Sequence, residues 1–362
     1  GPVPGAVYVD METELSQHGR PEDGRHPLPP VDALQAAARR WGLDDGDVVV
    51  VYDDERALGA SRGCWLLTRS GVADVRVLAE RMLAAEFGED IVDHHTYVIA
   101  GDGCLMEGVS HEAIDLAGHL KLNKLIVLWD DNRITIDGHT DLSTSIDQVA
   151  RFKASGWNAE HVDGFDREAV AAAIERAKAS DKPSMIACKT IIGYGAPTKA
   201  DSHASHGSAL GAAEIAGARE ALNWPYPAFE IPDDVSTAWH EAAKRWVDDR
   251  KAWEARFAAR DHEVKSEFKR RFSGVLPGNF EAAVEAYKRS LSDTKPKVAT
   301  RKSSEMALDM LTANVPELVG GSADLTGSNL TRGKPQKPLT PEDYSRRYLP
   351  YSHRGFRLSS LS

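Results

Sequence analysis

The fold is decided by Tyr97-Val98-Ile99-Ala100-Gly101-Asp102-Gly103 and by the later run Lys124-Leu125-Ile126-Val127-Leu128-Trp129-Asp130-Asp131-Asn132. Each holds a short, continuous apolar segment, the pattern of a strand buried on both faces. Tyr97 to Ala100 and Lys124 to Trp129 are therefore predicted strands. Between them, Val109 to Leu120 has the apolar spacing of a helix. Strand, helix and strand at this interval make a parallel crossover. The alternation continues in a predicted helix over Arg167 to Ala179 and a strand over Ser184 to Thr190. That order defines a doubly wound α/β domain.

This arrangement puts Asp102 just past one strand end and Asn132, thirty positions on, just past the next. Ligands of open α/β sheets bind along that edge. Gly101 and Gly103 permit a sharp turn and close approach of a ligand. The helix after Gly108 aims its amino end at the same place, which favours a diphosphate. Such an anion needs a cation. Asp102 offers a carboxylate oxygen, Asn132 an amide oxygen and Ile134 a backbone carbonyl. With two phosphate oxygens and a water they would complete the octahedron that suits Mg²⁺. Plainer readings stand beside this one: Gly-Asp-Gly is also a turn, and Asp-Asn after a strand is also a loop. The glycine spacing G-x-G-x-x-x-x-G excludes the dinucleotide fingerprint.

Bulk properties narrow the class. The chain has 362 residues, a length that suggests two or three domains. Its net charge of −11 argues against nucleic acid as a partner, while leaving room for a small anion at a local site. Cys64, Cys104 and Cys188 lie far apart and read as free thiols of a reducing compartment, the cytoplasm. No stretch is long and apolar enough to span a bilayer, so no membrane partner is expected. The chain opens Gly-Pro-Val-Pro without Met or signal peptide, which suggests a fragment.

The flanks carry weaker signals. A helix is predicted over Val31 to Trp41, a strand over Val48 to Tyr52, a helix over Ala60 to Ser70 and a strand over Val75 to Leu78. A helix begins near Glu80. Trp239, Trp246 and Trp253 are seven apart, and Phe257, Val264, Phe268 and Phe272 continue their stripe. This predicts a long amphipathic helix or helix pair whose aromatic face packs against the body of the protein. A linker over Ser290 to Lys297 leads to a helix over Ser304 to Ala313 and a strand at Leu318-Val319.

Gly101 to Gly108, Leu116 to Leu122 and Asp130-Asp131-Asn132-Arg133-Ile134-Thr135-Ile136-Asp137-Gly138 together resemble the diphosphate-binding half of transketolase. So do Ile191-Ile192-Gly193-Tyr194-Gly195, Ser202-His203-Ala204-Ser205-His206-Gly207, Ala299 to Lys302 and Gly320 to Asn329. The resemblance implies thiamine diphosphate and Mg²⁺ as cofactors, with Asp102, Asn132 and the Ile134 carbonyl as metal ligands. It implies that Gly103 and Asn132 touch the diphosphate, and that Glu107 is a buried carboxylate. His206 would be catalytic, near both cofactor and sugar. Arg301 and Ser328 would hold the phosphate of the sugar substrate, and Asp324 would face the cofactor across the dimer. The implied reaction moves a two-carbon ketol unit between sugar phosphates, at a site formed by a homodimer.

Before about Ala79 a different resemblance holds, to the amino-terminal domain of rhodanese-type sulfurtransferases. It rests on Val3 to Asp10, Gly24 to Pro29, Val49 to Asp54 and Gly71 to Leu78. Asp53-Asp54 stands where such a catalytic domain needs its cysteine, and Cys64 lies within a predicted helix. Sulfur transfer is therefore not expected. The expected organisation is a rhodanese-like α/β piece over 1–78 and a doubly wound thiamine-diphosphate-binding domain over 79–297. A partial second α/β domain over 298–362 would follow. The early part of the transketolase domain, with its histidines and glycine-rich loop, has no counterpart here. The resemblance ends near Tyr348 to Tyr351, and the tail to Ser362 lacks the glutamate with which the family bonds the cofactor's pyrimidine ring. The chain alone is thus expected to be impaired or inactive. A Mg²⁺–diphosphate-binding fragment and a sulfurtransferase relative are the alternatives.

Overall fold

The computed structural model describes residues 80–353 and, before them, the isolated positions 33, 36, 37 and 40. Apart from those four helical positions, the elements expected over 31–78 lie outside the described residues, as do Cys64 and the tail beyond 353. The larger of two compact units comprises Val77–Tyr226, Pro232–Arg271 and Val275–Ser362. It holds the sheet and the candidate site.

The helix α1 (Glu80–Phe87) leads to β1 (Thr96–Gly101). After it come α2 (Asp102–Met106), α3 (Gly108–His119) and β2 (Leu125–Asp131). A small hairpin, β3 (Ile134–Thr135) with β4 (Gly138–His139), precedes α4 (Gln148–Ala154), β5 (Asn158–Asp163), α5 (Arg167–Lys178) and β6 (Ser184–Lys189). The four long strands form one parallel sheet in the order β1-β2-β6-β5. The expected crossover and doubly wound grammar are thus present. The helix α4 and the strand β5 were not anticipated. Strand β5 has one buried position, Ala159, and lacks the unbroken apolar run of a central strand, as befits a strand on the sheet's edge.

The sheet is covered on both faces. On one, α3 and α4 bring Ile114, Leu116, Leu120, Val149 and Phe152 against Val127, Trp129, Met185 and Ala187. On the other, Ala173 and Ala177 of α5 pack on Ile126 and Ile186. Strand β1 is less well covered: Ile99, level with Leu128 in the register, is 81% exposed. Where α3 passes the end of α4 the fit is close. A Cβ added at Gly118 would lie 1.7 Å from the Ser155 carbonyl oxygen. Beside it the Trp157 indole N–H donates to the Ile114 carbonyl at 2.7 Å, and its ring meets Phe152 edge-on at 5.0 Å.

Beyond the sheet lie α6 (Ala212–Ala221), α7 (Asp233–Lys244), α8 (Val247–Ala258) and α9 (His262–Phe272). The aromatic stripe packs only in its second half. Trp253 stacks on Phe257 with centroids 5.1 Å apart and donates to the Ile91 carbonyl at 2.8 Å, and Phe268 meets Phe87 of α1 edge-on. Trp239 and Trp246 are 79% and 68% exposed, against the expectation. The helix breaks at Arg245-Trp246, so one continuous face never forms and the sevenfold spacing loses its meaning. Next come α10 (Phe280–Thr294), which fills part of the expected linker, α11 (Thr300–Asn314), β7 (Gly320–Ser322), α12 (Thr326–Asn329) and β8 (Tyr348–Pro350). Strands β7 and β8 pair in parallel. The buried Tyr344 hydroxyl ties this last region to α3 by donating to the Leu120 carbonyl at 2.5 Å. Among the described residues no helix is long and apolar enough to cross a membrane.

Because the atom opposing Gly118 is backbone, the crossing cannot yield by side-chain rotation. Gly118→Ala should destabilise the chain by about 2 kcal/mol or more. Gly108→Ala, where an added Cβ meets nothing within 4 Å, serves as the control. Urea denaturation of the two variants checks this, and equal stabilities would contradict it.

Candidate functional site

The parallel register sets Gly101 of β1 level with Asp130 of β2, and Asp130 level with Cys188 of β6. Residues leaving β1 and β2 therefore emerge side by side. Asp102 opens α2 and is buried; Asn132, the first residue past β2, is half-buried. The backbone N–H of Arg133 donates to Asp102 Oδ2 at 2.8 Å. This bond brings the carboxylate within one residue of the Asn132 amide. Arg133 adopts a left-handed φ of 62°, a strained conformation for a residue with a side chain. Asn132 Oδ1 in turn accepts from the Ile134 N–H at 2.9 Å, and Ile134 begins the small hairpin. Asp102, Asn132 and Ile134 thus form one hydrogen-bonded cluster at adjoining strand ends.

Burial pushes the Asp102 carboxyl up to about 6. The Arg133 N–H opposes the rise, and the negative charges of Asp131 and Asp130 add to it. The Trp129 indole N–H is near enough to oppose it too, yet it has no hydrogen-bond partner by geometry. Lys189 offsets Asp131, with its ammonium 3.7 Å from the carboxylate. A buried, crowded carboxylate beside an oriented amide oxygen fits a hard divalent cation, which would relieve the charge that burial penalises. Gly103 is exposed, and a Cβ there would meet nothing within 4 Å, so space for a ligand lies above it. Among the described residues no group of three or more His, Cys, Asp or Glu could hold a metal. A site of one carboxylate, one amide and one carbonyl is a different kind of site, completed by the phosphates it binds.

The other expected residues are spread more widely. His206 lies on the loop after β6, half-buried, with a buried Nδ1 that has no protein partner. Its loop is pinned against the Gly193 turn. Gly193 has φ 65°, and a Cβ there would sit 2.4 Å from Ser205 Oγ. Arg301 stands exposed in the first turn of α11, and Asp324 and Ser328 are exposed beside and on α12. Glu107 is exposed, contrary to the expectation of a buried carboxylate, because it caps α3 outside the core. A cleft of about 1180 Å³ opens beside Asp102, lined also by Trp129, Asp131, Arg133, Gln148 and Lys189. None of Gly103, Asn132, His206, Arg301, Asp324 and Ser328 lines it. Sequence reading missed Arg133, whose contribution is a backbone N–H and leaves no side-chain signal. It also missed Thr190, which donates to Asp130 from sixty positions away.

A parallel α/β sheet that carries acidic and amide groups just past its strand ends is the architecture of an α/β ligand-binding domain. Residues 69–277 match the family described as "Transketolase, thiamine diphosphate binding domain". The match begins ten residues before the expected junction at 79. A transketolase of Cereibacter sphaeroides is 56% identical over 278 residues, covering 76% of this chain and 42% of that protein. Transketolase 1 of Vibrio parahaemolyticus is 48% identical over 291 residues, covering 78% and 44%. The solved transketolase of Leishmania mexicana superposes with a TM-score of 0.69 at 37% identity, covering 76% and 42%. That of Pichia stipitis with sedoheptulose-7-phosphate gives 0.68 at 38%, covering 76% and 43%. The chain belongs to the transketolase family and spans less than half the length of these relatives.

The raised Asp102 carboxyl has a consequence for stability. The folded chain holds this proton more tightly than the unfolded chain, whose carboxyl titrates near the ordinary ~3.9. The resulting stabilisation is complete below about pH 4 and is lost as pH rises through about 6. Between pH 4 and 7 the metal-free protein should lose on the order of 2–3 kcal/mol relative to Asp102→Asn. Urea midpoints at each pH measure this, and a constant difference would refute it.

Proposed function

We propose that the chain binds thiamine diphosphate through Mg²⁺ at the β1 and β2 strand ends. We further propose that this site serves transfer of a two-carbon ketol unit between sugar phosphates. The observation that carries the reading is the Arg133 N–H to Asp102 bond, which holds a buried carboxylate beside the Asn132 amide. In this reading Asp102, Asn132 and the Ile134 carbonyl ligate Mg²⁺. Gly103 and Asn132 meet the diphosphate, with close approach possible because Gly103 carries no side chain. When bound, thiamine diphosphate supplies the carbanion-stabilising thiazolium on which ketol transfer depends.

The chain's own residues orient the substrate and move protons. His206, whose Nδ1 lacks a protein partner, donates a hydrogen bond to the developing sugar oxyanion or shuttles a proton. Arg301 grips the sugar phosphate through its planar fork, and Ser328 adds a hydroxyl. Asp324 faces the cofactor from a second subunit. Arg301, Ser328 and Asp324 stand in the open in the single chain. On this reading the intact family's site is formed by a homodimer, and turnover by this chain alone is impaired or absent. The domain division is 79–297 for diphosphate binding and 298–362 for the start of the pyrimidine-binding domain, in a cytoplasmic setting within the pentose phosphate pathway. The rhodanese-like residues 1–78 take no part in the chemistry.

Titration calorimetry of the full chain with thiamine diphosphate tests the reading. Binding should require Mg²⁺ and weaken on the order of 30-fold or more in Asp102→Ala and Asn132→Ala, since each removes a metal ligand. Binding that is indifferent to Mg²⁺ and to both substitutions would sink it.

A further inference from the structure

Asn132 can serve as a ligand only in one of its two amide orientations. Turned by half a rotation, it would present an NH₂ group to the cation. Two contacts fix the choice. The Ile134 N–H donates to Oδ1 at 2.9 Å, and Nδ2 donates to Asp130 Oδ2 at 3.0 Å. The second contact is only as firm as Asp130 itself. The other oxygen of Asp130, Oδ1, accepts the Thr190 hydroxyl. Thr190 is held in its turn. Its backbone N–H donates to the Asp131 carbonyl at 3.2 Å, and its methyl group packs where a side chain on Gly164 would stand, 2.6 Å from the place of a Cβ. A relay thus runs from Gly164, just past β5, through Thr190, just past β6, to Asp130 on β2 and the Asn132 amide.

From this geometry we propose that Thr190 and Asp130 are positioning residues that lock the Asn132 amide oxygen toward the cation and so set the strength of Mg²⁺-dependent diphosphate binding. The inference rests on the reading of Asn132 as a metal ligand. Both Asp130 oxygens are engaged within the relay, which gives this carboxylate a different role from Asp102 despite their proximity. A carboxylate that accepts two hydrogen bonds holds its donors more firmly than a neutral acceptor would. Groups of this kind, one step behind the ligands, typically govern metal affinity by one to two orders of magnitude.

The test uses the full chain, titrated with thiamine diphosphate at fixed Mg²⁺, with melting temperatures read alongside. Thr190→Val keeps the shape and the packed methyl but loses the hydroxyl, and should weaken binding about tenfold with little change in melting. Thr190→Ser keeps the hydroxyl and should restore most of the affinity. In an Asp130→Ala background the effect of Thr190→Val should vanish, because Thr190 acts only through Asp130. Should Asp130→Ala fail to fold, Asp130→Leu, which fills the space without a hydrogen-bond acceptor, takes its place. Wild-type affinity in Thr190→Val, equal weakness in Thr190→Ser, or additive losses in the double variant would each overturn the proposal. Failure of the underlying reading looks different: wild-type binding would not depend on Mg²⁺, or Asn132→Ala would bind as tightly as wild type, and this inference would then fall with it.

Discussion

One hydrogen bond joins the two halves of the candidate site: the Arg133 N–H donating to Asp102 across the ends of β1 and β2. It can form because the parallel register sets Gly101 level with Asp130, so chains leaving the two strands run side by side. Arg133 itself stands in the left-handed region with φ 62°, a conformation that costs about 1–2 kcal/mol for a residue with a side chain. The sheet creates the juxtaposition, and the bond ties the Asp102 carboxylate to the segment that carries the Asn132 amide.

The surrounding charges give the cluster its chemical character. Asp102 lies where burial disfavours its charged state, with the negative charges of Asp131 and Asp130 close by. Each is handled differently. Asp130 accepts hydrogen bonds from Thr190 and Asn132, and Asp131 lies near Lys189. Asp102 has a backbone N–H and an upward-shifted carboxyl.

Packing elsewhere ties the helices to one another. The Gly118 crossing and the Trp157 indole lock α3 to the end of α4, while Tyr344 secures the last region against α3. Away from the sheet, Arg270 binds Glu317 in a bidentate pair and also Glu267, joining α9 to the segment before β7. The exposed Ile99, Trp239 and Trp246 show that apolar patterning in this chain does not always end in burial.

Sequence alone determined the parallel crossover, the α/β alternation and the placement of Asp102 and Asn132 past successive strands, because unbroken apolar runs and glycine turns are local signals. The same signals misjudged the tryptophan stripe, since a spacing of seven predicts a shared face only while one helix continues, and this one breaks at Arg245-Trp246. They also could not reveal the Arg133 N–H or Thr190. A backbone donor has no residue-specific signature, and Thr190 meets Asp130 only because β6 lies beside β2 in the sheet. Which residues stand just past the strands was written in the chain. Which way their oxygens point was decided by strand order, because hydrogen bonds between distant segments exist only after the strands have been placed side by side.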